Sequence, residues 1–333
     1  MEEYTLIPME RSGKIMRRSM HIFLKSYNYF TSTAVLLVLP VAVSVLLSQA
    51  LIPSMTPFIV TIHARLESLF RAAGFPSSLQ FFSILSIKIS QTICSSIFTL
   101  PFTLSFLLVA KAAIIRFLCN EKSPISPPFS SLFPLCNPLL NTYLCNTFII
   151  LSANASAFFL FFLAFNSLDA FGFSCNNYIL FLSAAGAVLY SVILANTFIT
   201  CNLALIVAGM ENCGGYLAIL KACVLIKGRA ATALSLALPV NFGLAAVEAL
   251  FQYRVVRAYH LSEKLTFSIG FEGLLLAYLY SLLIIIDTIT TCIFYKSCKS
   301  STRIDEGRYY RIELAEEQDI GTFTNSKISY ELP

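Results

Sequence analysis

The stretch IGFEGLLLAYLYSLLIIIDTITTCIF, residues 269–294, decides the fold class of this chain. It is long enough to cross the ~30 Å hydrocarbon core of a bilayer, which takes about 20 helical residues. Lipid offers no hydrogen bonds to the backbone, and the stretch lacks the alternation of barrel strands, so it predicts a transmembrane helix. Five further runs of similar length precede it: Thr31–Ile52, Ile89–Ala110, Tyr143–Phe165, Tyr178–Ile206 and Ala231–Phe251. The sequence therefore predicts an all-α, polytopic membrane protein built as a bundle of six transmembrane helices.

Composition supports this class over the alternative, which is a large soluble protein with buried helices. Of the 333 residues, 57% are hydrophobic and only 12% are charged, whereas soluble domains carry about 25% charged residues. The connections between the runs are too short for a soluble domain. We predict a cytosolic N-terminal segment with an amphipathic helix over 1–30, the six-helix transmembrane domain over 31–295, and a disordered cytosolic tail over 296–333.

Positive charge predicts the orientation of the spans. Most of the 23 lysines and arginines lie in the N-terminal segment, the second and fourth connections and the C-terminal tail. In this assignment the second connection begins at Lys111. Since cytosolic loops are enriched in lysine and arginine, both termini are expected in the cytosol. The protein is then a multi-pass protein of an endomembrane (endoplasmic reticulum, Golgi or vacuole) or of the plasma membrane.

Two segments outside the spans have helical apolar faces. One face has Met16, Met20, Phe23, Tyr27 and Phe30 at spacings of three and four residues. This pattern is equally typical of a helix lying in the headgroup layer and of a helix packed on the bundle. The first connection carries a similar short face near residues 62–70, which predicts a second interfacial helix.

Ionisable and amide side chains inside the spans are the candidate functional groups, because they are costly in lipid. Asp287 is the deepest acid, and it either serves a proton or cation relay or hydrogen-bonds a neighbouring asparagine or threonine. Glu248 and Glu272 lie nearer the span ends, where pairing with Arg254 or Arg257 is the simpler interpretation. Three amides could join Asp287 in a polar seam: Asn154, Asn196 and Asn241. Such a seam would form either a substrate path or packing contacts between helices.

Enzyme signatures are absent from the sequence. The three histidines lie outside the spans and form no zinc-binding motif, and no glycine-rich phosphate loop is present. We therefore predict no enzymatic activity, no cofactor and no metal site, and no nucleic-acid partner; the expected partner is the lipid bilayer.

Short motifs in the tails predict contacts with cytosolic proteins. Leu6 and Ile7 follow two glutamates as in acidic dileucine sorting signals, and Tyr309 with Ile312 matches a tyrosine-based signal. Both would bind adaptor proteins. Cys119 and Cys298 flank predicted spans and are candidates for palmitoylation, against the simpler interpretation of plain thiols.

Two stretches resemble a plant family of uncharacterised six-span membrane proteins. One is CNPLLNT at 136–142, and the other runs from FEGLL at 271–275 through Asp287-Thr288 to FYKSCK at 294–299. The resemblance implies a plant source and an endomembrane or plasma-membrane location, and it assigns no site residue.

These observations favour a non-enzymatic membrane protein that serves as a scaffold or as a trafficking or signalling accessory. The alternative is a transporter or channel that uses the intramembrane acidic and amide seam. Convergence of Asp287, Asn154, Asn196 and Asn241 on one cavity would favour transport.

Overall fold

The computed structural model describes residues 12–51, 56–72, 80–119, 133–170, 176–262 and 267–328, and the last side chain that it describes is that of Ser300. Within these ranges the chain is helical and contains no strand. The prediction of an all-α protein is therefore confirmed.

Nine helices form the described chain, and three of them contain a wider π-helical turn. The first is α1, Ser12–Lys25. Helix α2 joins Tyr27–Thr33 to Leu39–Leu51 through the π turn Ala34–Val38, and α3 is Thr56–Ala72. Helix α4 joins Gln80–Phe102 to Leu108–Cys119 through the π turn Thr103–Leu107.

The C-terminal half of the described chain contains five helices. Helices α5 and α6 are Phe133–Ala170 and Asn176–Glu211, and the short α7 is Tyr216–Ile226. Helix α8 joins Ala230–Phe251 to Arg257–Ser262 through the π turn Gln252–Val256, and α9 is Phe267–Ile328.

Six of these helices are long and apolar enough to cross a membrane, which confirms the predicted bundle. The membrane-crossing portions are Tyr27–Ala50, Ile89–Cys119, Pro134–Phe161, Ala184–Glu211, Ala230–Tyr259 and Phe267–Ser300. They belong to α2, α4, α5, α6, α8 and α9. The chain is a multi-pass membrane protein.

The main core lies at the end of the bundle where α1 packs, which we call the α1 end. Residues of α4, α6 and α9, among them Ile115, Ile206 and Ile289, are fully buried there together with Ile15 of α1. A smaller cluster that includes Leu46, Phe251 and Tyr280 joins α2, α8 and α9 nearer the opposite end.

Helix α1 packs on the bundle, which is the second of the two positions that its apolar face allowed. It contacts α9 and α8, and its buried residues are Ile15, Ser19 and Phe23. Met20 and Tyr27 of the predicted apolar face are 44% and 48% exposed. The buried face therefore shares Phe23 with the predicted one, and it includes Ile15 and Ser19 in place of Met20.

The connection after the first span contains α3, in agreement with the helix predicted near residues 62–70. Helix α9 continues to Ile328, so its backbone is helical over most of the segment predicted to be disordered. The Glu, Leu, Ala and Arg residues of this segment have high helix propensities, and the disorder expected from its few apolar residues stays a prediction. The three domain boundaries themselves stay predictions.

Candidate functional site

A chain of hydrogen bonds joins three transmembrane helices through polar side chains. Lys111 of α4 donates from Nζ to Asn202 Oδ1 at 2.8 Å, and Asn202 Nδ2 donates to Asp287 Oδ2 at 2.8 Å. Asn202 Nδ2 also lies 3.5 Å from Thr291 Oγ1. One amide on α6 therefore binds a cation on α4 and a carboxylate on α9.

These hydrogen-bonded side chains lie within the membrane-crossing portions of their three helices. Lys111 precedes the helix end at Cys119 by eight residues, and Asp287 precedes Ser300 by thirteen. At 1.5 Å per residue these separations correspond to about 12 and 20 Å from the α1 end. Charged groups at such depths require partners, and Asn202 provides one to each.

Lys111 is the member of the chain that the sequence prediction assigned wrongly. The predicted second span ended at Ala110, so Lys111 was counted as a charge of the following connection. In the structure α4 continues to Cys119, and every residue from Ala110 to Ile115 is buried, including Lys111 at 8% exposure. A helix that is buried all round is central in its bundle, so the ammonium cannot turn outward to the headgroups. The mostly apolar run AAIIRFLC that follows Lys111, in which Arg116 is the charged residue, was the available signal.

A cavity of about 1120 Å³ lies beside Asp287, between α4, α5, α6, α8 and α9. Asn154, Asn241 and Asp287, which were predicted to form a seam, all line it, and so do Asn146 and Asn202. Asn196, the fourth predicted member, is not a lining residue. Three of the four predicted members of the seam therefore meet at one cavity.

Asn146 leaves an unsatisfied acceptor at this cavity. Its side chain is 4% exposed, and Nδ2 donates to the carbonyl oxygen of Cys201 at 2.8 Å. The Oδ1 atom is buried and has no hydrogen-bond partner among the described residues. Burying a polar atom without a partner is costly, so the atom is suited to accept a hydrogen bond from a molecule in the cavity.

The remaining amides differ in their surroundings. Asn154 Oδ1 accepts a hydrogen bond from Tyr190 Oη at 2.7 Å, which joins α5 to α6. Asn241 is exposed and donates to the carbonyl oxygen of Ala237, one turn earlier in its own helix. Asn196 is exposed on α6 outside the cavity.

The two other acids serve structural contacts nearer the opposite end. Glu272 Oε1 lies 3.5 Å from Arg254 Nη2, as the prediction of arginine pairing required. Glu248 instead accepts a hydrogen bond from Tyr280 Oη at 2.9 Å. The prediction of an arginine partner for Glu248 is wrong because its face of α8 points toward α9. Neither acid lines the cavity.

Glu211 forms a second polar cluster at the α1 end that the sequence prediction missed. Its Oε1 accepts hydrogen bonds from Lys299 Nζ at 2.8 Å and from Tyr295 Oη, and its Oε2 accepts one from Lys221 Nζ at 2.8 Å. The hydrogen bond to Glu211 raises the pKa of the exposed Lys221. One carboxylate thus joins α6, α7 and α9. Within the described part of the chain, no group of three or more His, Cys, Asp or Glu side chains could hold a metal ion.

The structure describes the two cysteines that are candidates for palmitoylation, but not the side chains of the sorting motifs. Cys119 is exposed, whereas Cys298 has no exposed surface. The Cys298 candidate is therefore unsupported, since an acyl transferase cannot reach a thiol enclosed by the bundle. Leu6 and Ile7 lie outside the described residues, and the side chains of Tyr309 and Ile312 lie beyond the last described one.

One protein family matches almost the whole chain. The family is described as "Domain of unknown function (DUF8558)", and the match covers residues 11–309. The chain belongs to the DUF8558 family. The matched region includes all six membrane-crossing helices and both polar clusters, so the DUF8558 domain is the six-helix bundle itself together with α1. No curated protein and no solved structure matches the chain.

Proposed function

We propose that this DUF8558 protein is a membrane transporter whose substrate path includes the cavity beside Asp287. The observation that carries the proposal is the convergence of Asn146, Asn154, Asn241 and Asp287 on one cavity inside the bundle. Polar side chains that only form hydrogen bonds between helices do not require a cavity beside them.

The size and charge of the cavity support the proposal. Small-molecule sites typically measure about 300–1,000 Å³, and this cavity, at about 1120 Å³, is slightly larger than that range. Asp287 is the charged residue among its described lining, and intramembrane acids commonly mark substrate or ion paths. The chain through Asn202 to Lys111 fixes the carboxylate in position.

A reconstituted flux assay tests the proposal. Purified protein in proteoliposomes would be supplied with a mixed panel of ions, sugars, amino acids and amphiphiles, and internal solutes would be quantified by mass spectrometry and ion-sensitive dyes. We expect at least one solute to enter faster than in empty liposomes. Asp287→Asn should abolish this flux, because it removes the charge and keeps the size of the side chain.

Glu272→Gln is the matched control, since it makes the same chemical change at an acid outside the cavity. It should leave the flux unchanged. Flux in Asp287→Asn equal to that of the unaltered protein, or no flux of any panel member, would refute the proposal.

The scaffold, trafficking or signalling role, with cytosolic adaptor partners, is the second proposal. Its support is the sequence: the sorting-like motifs of the tails and the absence of enzyme signatures. The plant source, the endomembrane or plasma-membrane location and the cytosolic termini are proposals with the same kind of support. Deleting residues 1–11 and 310–333 tests the role, because unchanged location and an unchanged partner set would count against it.

A further inference from the structure

We propose that the cavity binds an amphiphile with an uncharged, hydrogen-bond-donating head group, such as an alcohol or a primary amide on an alkyl chain. The ligand class rests on the geometry of the cavity. Its role as the transported substrate rests on the proposed function.

The polar wall of the cavity calls for a donor. Asn146 Oδ1 is buried without a partner, and Asp287 presents a carboxylate that accepts hydrogen bonds. Both groups are acceptors, so a head group that only accepts would leave Asn146 Oδ1 unsatisfied and would face the Asp287 carboxylate without a hydrogen bond to it. A hydroxyl or amide N–H supplies the missing donor.

The charge balance favours a neutral head over an ammonium. Asn202 couples the carboxylate of Asp287 to the ammonium of Lys111, which lies behind the cavity wall. The ammonium and the carboxylate already compensate each other. A ligand cation would add an unpaired charge in a medium of low dielectric constant, where charges interact strongly and their desolvation is expensive.

The other side of the cavity is apolar and reaches the outer surface of the bundle. Phe198, Leu238 and Phe242 line it and are 54%, 60% and 74% exposed on the helices that carry them. In a bilayer this surface faces lipid tails. The cavity therefore joins a polar wall to an opening toward hydrocarbon, which suits a molecule that is already dissolved in the membrane.

Photolabelling of the full-length protein in lipid nanodiscs tests the ligand class. The probe is a diazirine-bearing alkyl alcohol, and labelled peptides are located by mass spectrometry. We expect labels on the segments around Asn241 and Asn154. Decanol and decanamide should compete with the probe, and decylammonium and decyl sulfate should compete about tenfold more weakly or not at all.

Two amide variants distinguish specific binding of the probe in the cavity from nonspecific partitioning of the probe into the protein. Asn146→Leu should reduce cavity labelling about fivefold, the effect of losing one hydrogen bond. Asn196→Leu makes the same change outside the cavity and should have no effect. Equal labelling in the two variants would overturn the proposal.

A charge variant tests why the head group is neutral. Lys111→Met removes the compensating ammonium, so decylammonium should become the better competitor. Lys111→Met combined with Asp287→Asn should restore the preference for decanol. If Lys111→Met does not fold, the Asn146→Leu comparison decides the outcome.

The results also distinguish this proposal from the proposed function. Cavity labelling without flux in proteoliposomes would refute transport and leave the binding site standing. Flux of a different solute class, with no labelling in the cavity, would refute the ligand class alone. Competition by decylammonium at least as strong as by decanol in the unaltered protein would overturn the proposal.

Discussion

Lys111 and Asp287 bind opposite atoms of the same carboxamide, because Asn202 accepts from the ammonium and donates to the carboxylate, each at 2.8 Å. The cation, the amide and the acid come from α4, α6 and α9. Three helices that are far apart in sequence are thus joined at hydrocarbon depth, where an unsatisfied polar group cannot turn to water.

Asn202→Leu should destabilise the bundle strongly. The substitution removes the shared partner of a buried ammonium and a buried carboxylate, and each lost hydrogen bond to a charged group costs about 1.5–3 kcal/mol. Thermal unfolding in detergent measures the loss. Asn241→Leu is the control, since Asn241 donates only to a carbonyl of its own helix and should change stability by less than about 1 kcal/mol. Equal effects of the two variants would contradict the bridging role.

Removing both charges should cost less than removing one. Lys111→Met or Asp287→Leu alone leaves an uncompensated charge in the bundle, whereas the double variant replaces the pair with apolar side chains, which is often nearly neutral. The unfolding temperature of the double variant should therefore exceed that of either single variant. Strictly additive losses in this double-mutant cycle would show that the two charges are independent.

Glu211→Gln should loosen the junction of α6, α7 and α9. Its lysine partners are about half exposed, so the expected loss is about 1–2 kcal/mol rather than the value for a buried pair. Glu272→Gln, whose single ion pair is longer and exposed, should lose less. Thermal unfolding measures both variants, and a larger loss in Glu272→Gln would contradict the ranking.

The Lys221 contact in this cluster should also depend on pH in one direction. Its pKa is raised in the folded protein, so its stabilising contribution is complete below the unfolded pKa of about 10.4. The contribution is lost as the pH rises through the higher folded value. The stability difference between the unaltered protein and Lys221→Met should therefore be constant near neutral pH and shrink only in strong alkali.

Gly214→Ala should destabilise the turn between α6 and α7. A Cβ at residue 214 would lie 2.8 Å from the Cα of Pro138, a backbone atom that cannot move aside easily. Overpacking of this kind costs about 1–3 kcal/mol. Gly13→Ala is the control, because no atom lies within 4 Å of the corresponding position in α1, and there alanine should be neutral or stabilising. Thermal unfolding compares the two variants.

Cys119 and Cys298 should differ in their reaction with a thiol reagent. In native protein a small maleimide should label exposed Cys119 and leave fully buried Cys298 unlabelled. Cys119→Ser should remove a labelled peptide, and Cys298→Ser should change nothing until the protein is unfolded. Labelling of native Cys298 would contradict its burial in the core.

The sequence by itself determined the six membrane-crossing helices, because the requirement for a long apolar helix is local and the thickness of the bilayer sets its length. It also identified Asp287, Asn154 and Asn241, since polar groups inside apolar runs are visible without a structure. It misplaced Lys111, because the predicted span ended at the first charged residue although the residues after Lys111 are again mostly apolar.

Only the tertiary structure decided which helix faces meet. That choice placed Asn202 between Lys111 and Asp287, left Asn196 outside the cavity, paired Glu248 with Tyr280, and brought Glu211 to Lys299 and Lys221. These contacts join helices far apart in sequence. They are set by the rotation and packing of neighbouring helices. Lipid tails are as apolar as the helix faces, so the lipid does not specify which faces pack together.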